Sequence, residues 1–584
     1  MQIGIDFGST YSTVSRFDPV TGEVKTVNRG SGAPVEIPSV VSIERDTGEV
    51  DCGAMAKDQI GDEDYRIFEA FKMLLVAADE DMLRARGYDE THTPRSIAKL
   101  YLKSILSTAM RNENEDRIED LIICAPNIWS ARQNTKDGRR ILREILQELD
   151  LPIGNVQVVE EPEAASAFFA YYLEKATQKA FNGHLLLIDF GGGTLDLTLT
   201  QVNSDGKGRM EICYREDGGA GENHPGADGR GVIGSAGFAY MQAVALDAIR
   251  EAEVLEPEES VDYTDPDFLA AVRKLERSMI GNIEKVEDYF GQFGTYYGQM
   301  AAVLEEEPEE FAMLKFRRKR VPVTYQQMYR AYRDTIAGVL DREIKAINAK
   351  TRTHIKGDPC APASGAKADF KIALVGGFNS FCLVRAQLAE IYNLDFNQNS
   401  DPRVSNIPQD LQIRAISLGA ALIAAGKVQR QRVAHYSIGL CTKNAAGEIN
   451  GLYYGIKYHQ IIEPGKPYFI LRPGKTRDIP ANRVVWGGLK GNIKQFAIEF
   501  TERLDYCQPF RLRPEILAQL EELPEYGTYY CGFSFGEDDV VTFHAIPVPT
   551  PGFDNGAVGK EIRLDSYRGM FDLSPIEEVH VSGV

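Results

Sequence analysis

A turn that occurs twice limits what this chain can become. Ile3-Gly4-Ile5-Asp6-Phe7-Gly8-Ser9-Thr10 opens the sequence, and Leu187-Ile188-Asp189-Phe190-Gly191-Gly192-Gly193-Thr194 restates it. Each copy is an apolar strand ending in Asp, then glycine and a hydroxyl residue, then a second alternating strand. That second strand is Ser12 to Phe17 in one copy and carries Leu195, Leu197 and Leu199 in the other. Glycine lets backbone N–H groups come close to phosphate oxygens, and consecutive N–H groups form an anion-binding concavity. An Asp at the strand end is placed to hold a hydrated Mg²⁺, which keeps several waters and bridges to substrate phosphates. One Asp-x-Gly turn is common in hairpins. Two in one chain predict a duplicated domain gripping one nucleotide between its halves.

The chain has 584 residues, enough for about two to four domains and a large core. A net charge of −20 argues against nucleic acid or an anionic membrane as partner, since both need a basic face. The local exception, Arg317-Arg318-Lys319-Arg320, reads as a solvated connector before a helix at Thr324. Eight cysteines are scattered without a CxxC pair, so neither a disulfide framework nor a metal-ligand spacing is present. The sequence begins directly on a strand, without a charged leader, and no run approaches about 18 apolar residues. A cytoplasmic location is the expectation.

Three regions follow from the pattern. Residues 1–180 form a first lobe, with a strand at Val40-Val41-Ser42-Ile43 and a helix from Arg66 to Ala77 carrying Lys72. A second helix, Ser96 to Arg111, shows helical spacing of its apolar residues. Val156 to Val159 leads into Glu160-Glu161-Pro162-Glu163-Ala164-Ala165, where proline opens a helix reaching about Ala176. Residues 181–427 form a second lobe holding the repeated turn. It has a surface loop at Gly218 to Gly231, a long helical region from Ala236 to about Ala312 broken by an acidic turn at Glu256 to Asp267, and a capping box at Thr324-Tyr325-Gln326-Gln327 starting a helix to Ile347. A helix from Leu411 to Lys427 carries the small run Gly419-Ala420-Ala421, suited to close packing. From 428 to 584 short alternating stretches are punctuated by Gly, Pro and Asn-Gly, which reads as a mainly β domain. The fold class is therefore α/β, followed by a mainly β C-terminal domain.

Asp6-Phe7-Gly8-Ser9-Thr10-Tyr11, Glu161-Pro162-Glu163-Ala164-Ala165, Asp189-Phe190-Gly191-Gly192-Gly193-Thr194-Leu195-Asp196 and Leu374-Val375-Gly376-Gly377 stand in a telling order. It is the order of the pattern common to actins, sugar kinases and Hsp70 proteins. Over about residues 1–427 the chain most resembles an Hsp70 (DnaK-type) nucleotide-binding domain. The resemblance implies an actin-like ATPase of two duplicated RNase H-like lobes that binds ATP or ADP with Mg²⁺. It implies that Asp6 and Asp189 hold the Mg²⁺ through water. Gly8, Ser9, Thr10 and Tyr11, with Gly191, Gly192 and Gly193, would contact the phosphates. Lys72 would stabilise charge on the transferred phosphoryl group and Glu161 would orient the attacking water. Thr194 and Asp196 would assist at the γ-phosphate. Gly376 and Gly377 would let the backbone approach the adenosine, with Phe378 placed to stack on the base.

The same resemblance implies a molecular chaperone, in which hydrolysis resets the grip of the β domain on an unfolded or specific client protein. A J-domain or nucleotide-exchange partner is left open, because the segment Val428 to Val433 is basic and polar where the family has an acidic, leucine-rich linker. No long helical lid follows, and Tyr453, Tyr454 and Trp486 are open to two readings, a peptide groove or the core of a sandwich. Other functions on this fold stay in view: a metabolite kinase, a nucleotide-dependent scaffold, or an actin-like filament former.

Overall fold

Two sheets in the N-terminal part repeat one strand pattern. Gln2–Asp6 pairs antiparallel with Tyr11–Asp18 and parallel with Ile118–Ala125, which pairs parallel with Ile153–Glu160. Gly183–Phe190 pairs antiparallel with Thr194–Ser204 and parallel with Phe370–Val375, and Met210–Gly221 continues the antiparallel side. The registers correspond. Asp6 stands opposite Thr13 as Asp189 stands opposite Asp196, and Ile5 lies beside Ile123 as Ile188 lies beside Leu374. Strands covered on both faces are expected to be continuous apolar runs, and Leu185 to Ile188 and Leu121 to Ala125 are such runs, all buried.

This computed structural model describes residues 1–27, 35–77, 80–126, 129, 138–206, 209–221, 236–255, 259, 261, 265–355, 357–361, 369–394, 401, 403–404, 407–434, 437–443, 449–457, 460–469, 483–485, 495–499, 508–512, 518–519, 528–536, 540–547, 560–565 and 571–572. The chain divides into two units, Met1–Asn134 with Ile141–Gln429, and Thr135–Arg140 with Arg430–Val584. Among the described residues no helix is long and apolar enough to cross a membrane.

Small residues bind the first unit together. Helix Glu161–Thr177 buries Ala164, Ala165, Ala167, Phe168, Phe169 and Ala170. Helix Ala415–Ala424 lies against it so closely that a Cβ on Gly419 would run into the carbonyl of Ala164. A Cβ on Gly4 would meet the same Ala415–Ala424 helix at Ser417 and Ala421. This helix is shorter than the predicted 411–427 segment, with a separate turn at Gln409–Gln412.

Several expectations need correction. The predicted 66–77 helix is a strand, Tyr65–Glu69, followed by the short helix Phe71–Leu74. Ala70, in the left-handed region at φ 52°, makes the break, and the Tyr-Arg-Ile-Phe run favours a strand. The helical region after Ala236 ends earlier, and residues Glu310–Phe316 and Lys319–Thr324 form an antiparallel hairpin. The basic run turns the hairpin: Arg317 and Arg318, at φ 45° and 65°, are its tip, and Lys319 and Arg320 begin the second strand. The Thr324–Gln327 capping box is present, and helix runs on through a π turn at Arg333–Ala337 to Ile355. Residues 218–221 belong to the strand Met210–Gly221; the rest of the glycine-rich loop lies outside the described residues. Val428–Val433, read as a polar linker, is a strand.

In the second unit every described strand pairing is antiparallel. One sheet runs Ile449–Ile456, Ser437–Lys443, Gln495–Glu499, Gln508–Leu512, Phe571–Asp572. The other contains Tyr468–Phe469, Thr528–Phe535, Val541–Pro547 and Lys560–Asp565. Tyr454 is half-buried in its strand; Trp486 lies outside the described residues.

Candidate functional site

Each Asp-Gly turn is held by its own neighbours. A Cβ on Gly8 would run into the carbonyl of Tyr11, so the chain can reverse there only with glycine. The Ser39 hydroxyl donates to the Gly8 carbonyl at 2.7 Å, and the Ser39 N–H donates to the Thr10 carbonyl at 2.8 Å. In the second turn Gly191 N–H donates to the Thr194 carbonyl at 3.0 Å. The carbonyls of Gly191 and Gly192 accept from Gly237 and Phe238, 3.2 and 2.8 Å away, at the start of helix Gly237–Glu251. The two turns meet: a Cβ on Gly192 would lie 3.3 Å from Thr10 Oγ1, and both residues are exposed.

Beneath this junction lies a cluster of charge. The Lys72 ammonium, 3% exposed, donates to the Glu161 carboxylate and stands 5.9 Å from the ring centres of both Phe7 and Trp129. Burial alone would push the ammonium down, but Glu161 and Asp6 together raise it. Asp6 is half-buried, and desolvation with the Glu161 charge pushes its carboxyl up to about 7, against the pull of Lys72. Burial, then Glu161, Asp196 and Asp6, hold Asp189 well above the usual carboxylate range. Burial and Glu161 push Asp196 up to about 7, opposed by a hydrogen bond from Thr194 and by Lys72. The Glu161 charge acts on all four of the others, so five residues spread from 6 to 196 in sequence share one buried neighbourhood. Four carboxylates face one cation. Asp196 Oδ2 is buried and has no hydrogen-bond partner among the described residues. Among those residues no group of three or more His, Cys, Asp or Glu side chains is arranged to hold a metal ion directly.

Gly376 closes the cluster on the far side. Its φ is +86°, and a Cβ there would lie 2.5 Å from Asp189 Oδ1 and 2.6 Å from the Phe190 backbone. Gly377 is exposed with open space around it. Phe378 corrects an expectation. Instead of offering a face to a base, it is 8% exposed, with ring centres 5.0 Å from Phe190 and 5.5 Å from both Tyr240 and Phe381. An apolar ring with three aromatic neighbours is more stable in their company than in a wet cleft.

Residues that sequence reasoning missed surround the predicted ones. The Lys57 ammonium donates to Tyr11 Oη at 2.7 Å and lies 4.8 Å from that ring's centre. Asn379 is buried, and its Nδ2 donates to the carbonyls of Ile188, at 2.7 Å, and Val375, tying together the two strands that deliver Asp189 and Gly376. A buried amide in an apolar turn must find such partners, which was the available signal. Near Lys57, burial raises the Glu276 carboxyl, against the pull of that ammonium.

Residues 2–215 match the family profile described as Hsp70 protein. A chaperone protein DnaK of Thermosipho africanus (strain TCF52B) is 28% identical over 228 residues, 39% of this chain and 33% of the relative. The chain carries an Hsp70-type nucleotide-binding domain. The match to the Hsp70 profile contains both turns, Lys72, Glu161 and Asp196, and ends before Gly376. The chain spans about a third of the length of the curated DnaK that it matches.

Proposed function

We propose that this protein is an Hsp70-like, Mg²⁺-dependent ATPase whose two corresponding sheets are the duplicated lobes of an actin-like fold, 1–180 and 181–427. The observation that carries this reading is the junction of the two turns, Gly192 against Thr10, above the Asp6, Glu161, Asp189, Asp196 and Lys72 cluster. Excess buried negative charge suits a hard divalent cation, and water-mediated attachment to Asp6 and Asp189 suits an ion that keeps its hydration shell. Mg²⁺ so held would supply positive charge beside the phosphates.

The chain's own groups then divide the work. Backbone N–H groups of Gly8 to Tyr11 and of Gly192 and Gly193 position the phosphates, while Gly191, its N–H held by the Thr194 carbonyl, shapes the turn. Glu161 orients the attacking water, and its ion pair with Lys72 fixes that orientation. Lys72 lies where negative charge develops, and Thr194 with Asp196 completes the γ-phosphate side. The matched relative is named a chaperone, and on that ground we assign the 428–584 β region to binding of a client polypeptide, in the cytoplasm. Steady-state phosphate release, with and without an unfolded peptide, tests this. Mg²⁺-dependent release stimulated by peptide is expected. Release indifferent to peptide would favour a nucleotide-dependent scaffold, and no release would defeat the ATPase reading.

A further inference from the structure

Within the second unit, three strands bring a hydroxyl, an imidazole and a carboxylate into line. Ser534 lies on Thr528–Phe535, His544 on Val541–Pro547 and Glu561 on Lys560–Asp565. Gly532 pairs with His544, and His544 pairs with Glu561. Alternation along the strands therefore puts Ser534, His544 and Glu561 on one face. Ser534 Oγ is 2.7 Å from His544 Nε2, and His544 Nδ1 is 3.2 Å from Glu561 Oε1. A carboxylate at Nδ1 accepts, so Nδ1 carries the proton and Nε2 presents its lone pair to the serine hydroxyl. Burial lowers the imidazole's proton affinity and keeps it neutral, against the pull of Glu561.

We propose that Ser534, His544 and Glu561 form a nucleophile, base and orienting carboxylate that accept a small acyl group from an ester. The three roles are recognised by geometry rather than by chain order. The opposite face of the same strands, with Phe533, Phe535, Val541, Phe543 and Ala545, is fully buried and accounts for the packing of the sheet. Gly532 sits beside His544, and a Cβ there would lie 2.8 Å from the Phe469 ring, so an apolar wall adjoins the serine. Ser534 and His544 are buried while Glu561 is exposed, which restricts the substrate to a short, apolar acyl chain.

The chemistry balances without a cofactor. Ser534 Oγ attacks the ester carbonyl carbon as its proton passes to His544 Nε2. The ester C–O bond breaks, and the leaving oxygen takes that proton. Water then attacks the acyl carbon as one of its protons passes to Nε2; the acyl C–Oγ bond breaks, Oγ takes that proton back, and a carboxylic acid leaves with Ser534 restored.

A fluorophosphonate probe and p-nitrophenyl acetate, applied to the full chain, test the site. Labelling at Ser534 and ester turnover are expected in the wild type, both lost by about 100-fold or more in Ser534→Ala. Glu561→Gln, at an exposed position that leaves the fold alone, is expected to slow both by about 10-fold. An unlabelled wild type, or labelling that survives Ser534→Ala, would overturn the proposal. So would a Glu561→Gln rate equal to the wild type, which would reduce the line to a structural hydrogen-bond chain.

Discussion

The two Asp-Gly turns share a register but have parted in chemistry. At the position opposite the aspartate, the first copy has Thr13 and the second Asp196. Thr13 donates to the Ser417 hydroxyl at 2.9 Å, and Ser15 pairs with the same hydroxyl at 2.8 Å, so this strand is bonded to helix Ala415–Ala424. Asp196 is directed instead into the charge cluster, with one carboxyl oxygen unsatisfied. One backbone pattern thus serves as an anchor in the first copy and as a source of charge in the second. A buried carboxylate is tolerated only when something compensates it. The difference teaches where a ligand must supply what the protein lacks.

Breaking the charged copy should have the largest effect. Asp189→Ala is expected to cut Mg²⁺-dependent ATP turnover by at least about 100-fold while leaving the fold intact, read by phosphate release and circular dichroism. Lys72→Ala comes next: nucleotide still binds, hydrolysis is lost, and the Glu161 carboxylate is left buried without its cation. Breaking such a pair should lower unfolding stability by about 3 kcal/mol, measurable by denaturant titration.

A pH experiment sharpens the contrast between Thr13 and Asp196. In the folded chain the Asp196 carboxyl is raised to about 7 from its ordinary 3.8. Between those values the folded chain binds more protons than the unfolded one, so this contribution to stability is full at low pH and is lost as pH rises through about 7. Asp196→Asn should therefore stabilise the ligand-free protein above about pH 7 and change little below about pH 4. Thermal midpoints across that window check the sign. A variant whose effect does not vary with pH would place the carboxyl outside the cluster.

Smaller effects separate the supports. Gly376→Ala forces a side chain into a left-handed backbone position and against Asp189, at a cost of about 2 kcal/mol and with weakened nucleotide binding. Ser417→Ala removes the partner of Thr13 and Ser15, and should cost about 1 kcal/mol of stability with ATP turnover unchanged.

Local chemistry made part of this legible beforehand. The glycine turns, the proline opening the Glu161–Thr177 helix and the Thr324 capping box each depend on a few adjacent residues, and each could be read in place. Lys72 was found by its neighbours in sequence, but its burial was not, because Ala70 breaks the chain into strand and short helix by a backbone choice that alanine does not advertise. Phe378 misled for a related reason: an aromatic after two glycines suits a base or a core equally, and only Phe190, Tyr240 and Phe381, far apart in sequence, decide. The hairpin ending in Arg317 and Arg318 was hidden because its tip lacks the Asn-Gly that such turns prefer.

The most direct test of two turns sharing one nucleotide is a double-mutant cycle on Mg·ADP affinity with Asp6→Asn, Asp189→Asn and both together, by titration calorimetry. One shared ion and nucleotide predict strong coupling, with the double variant binding about 10-fold or more tighter than the product of the single losses implies. Losses that simply multiply would mean that the two carboxylates act independently, and would contradict a single site between the lobes.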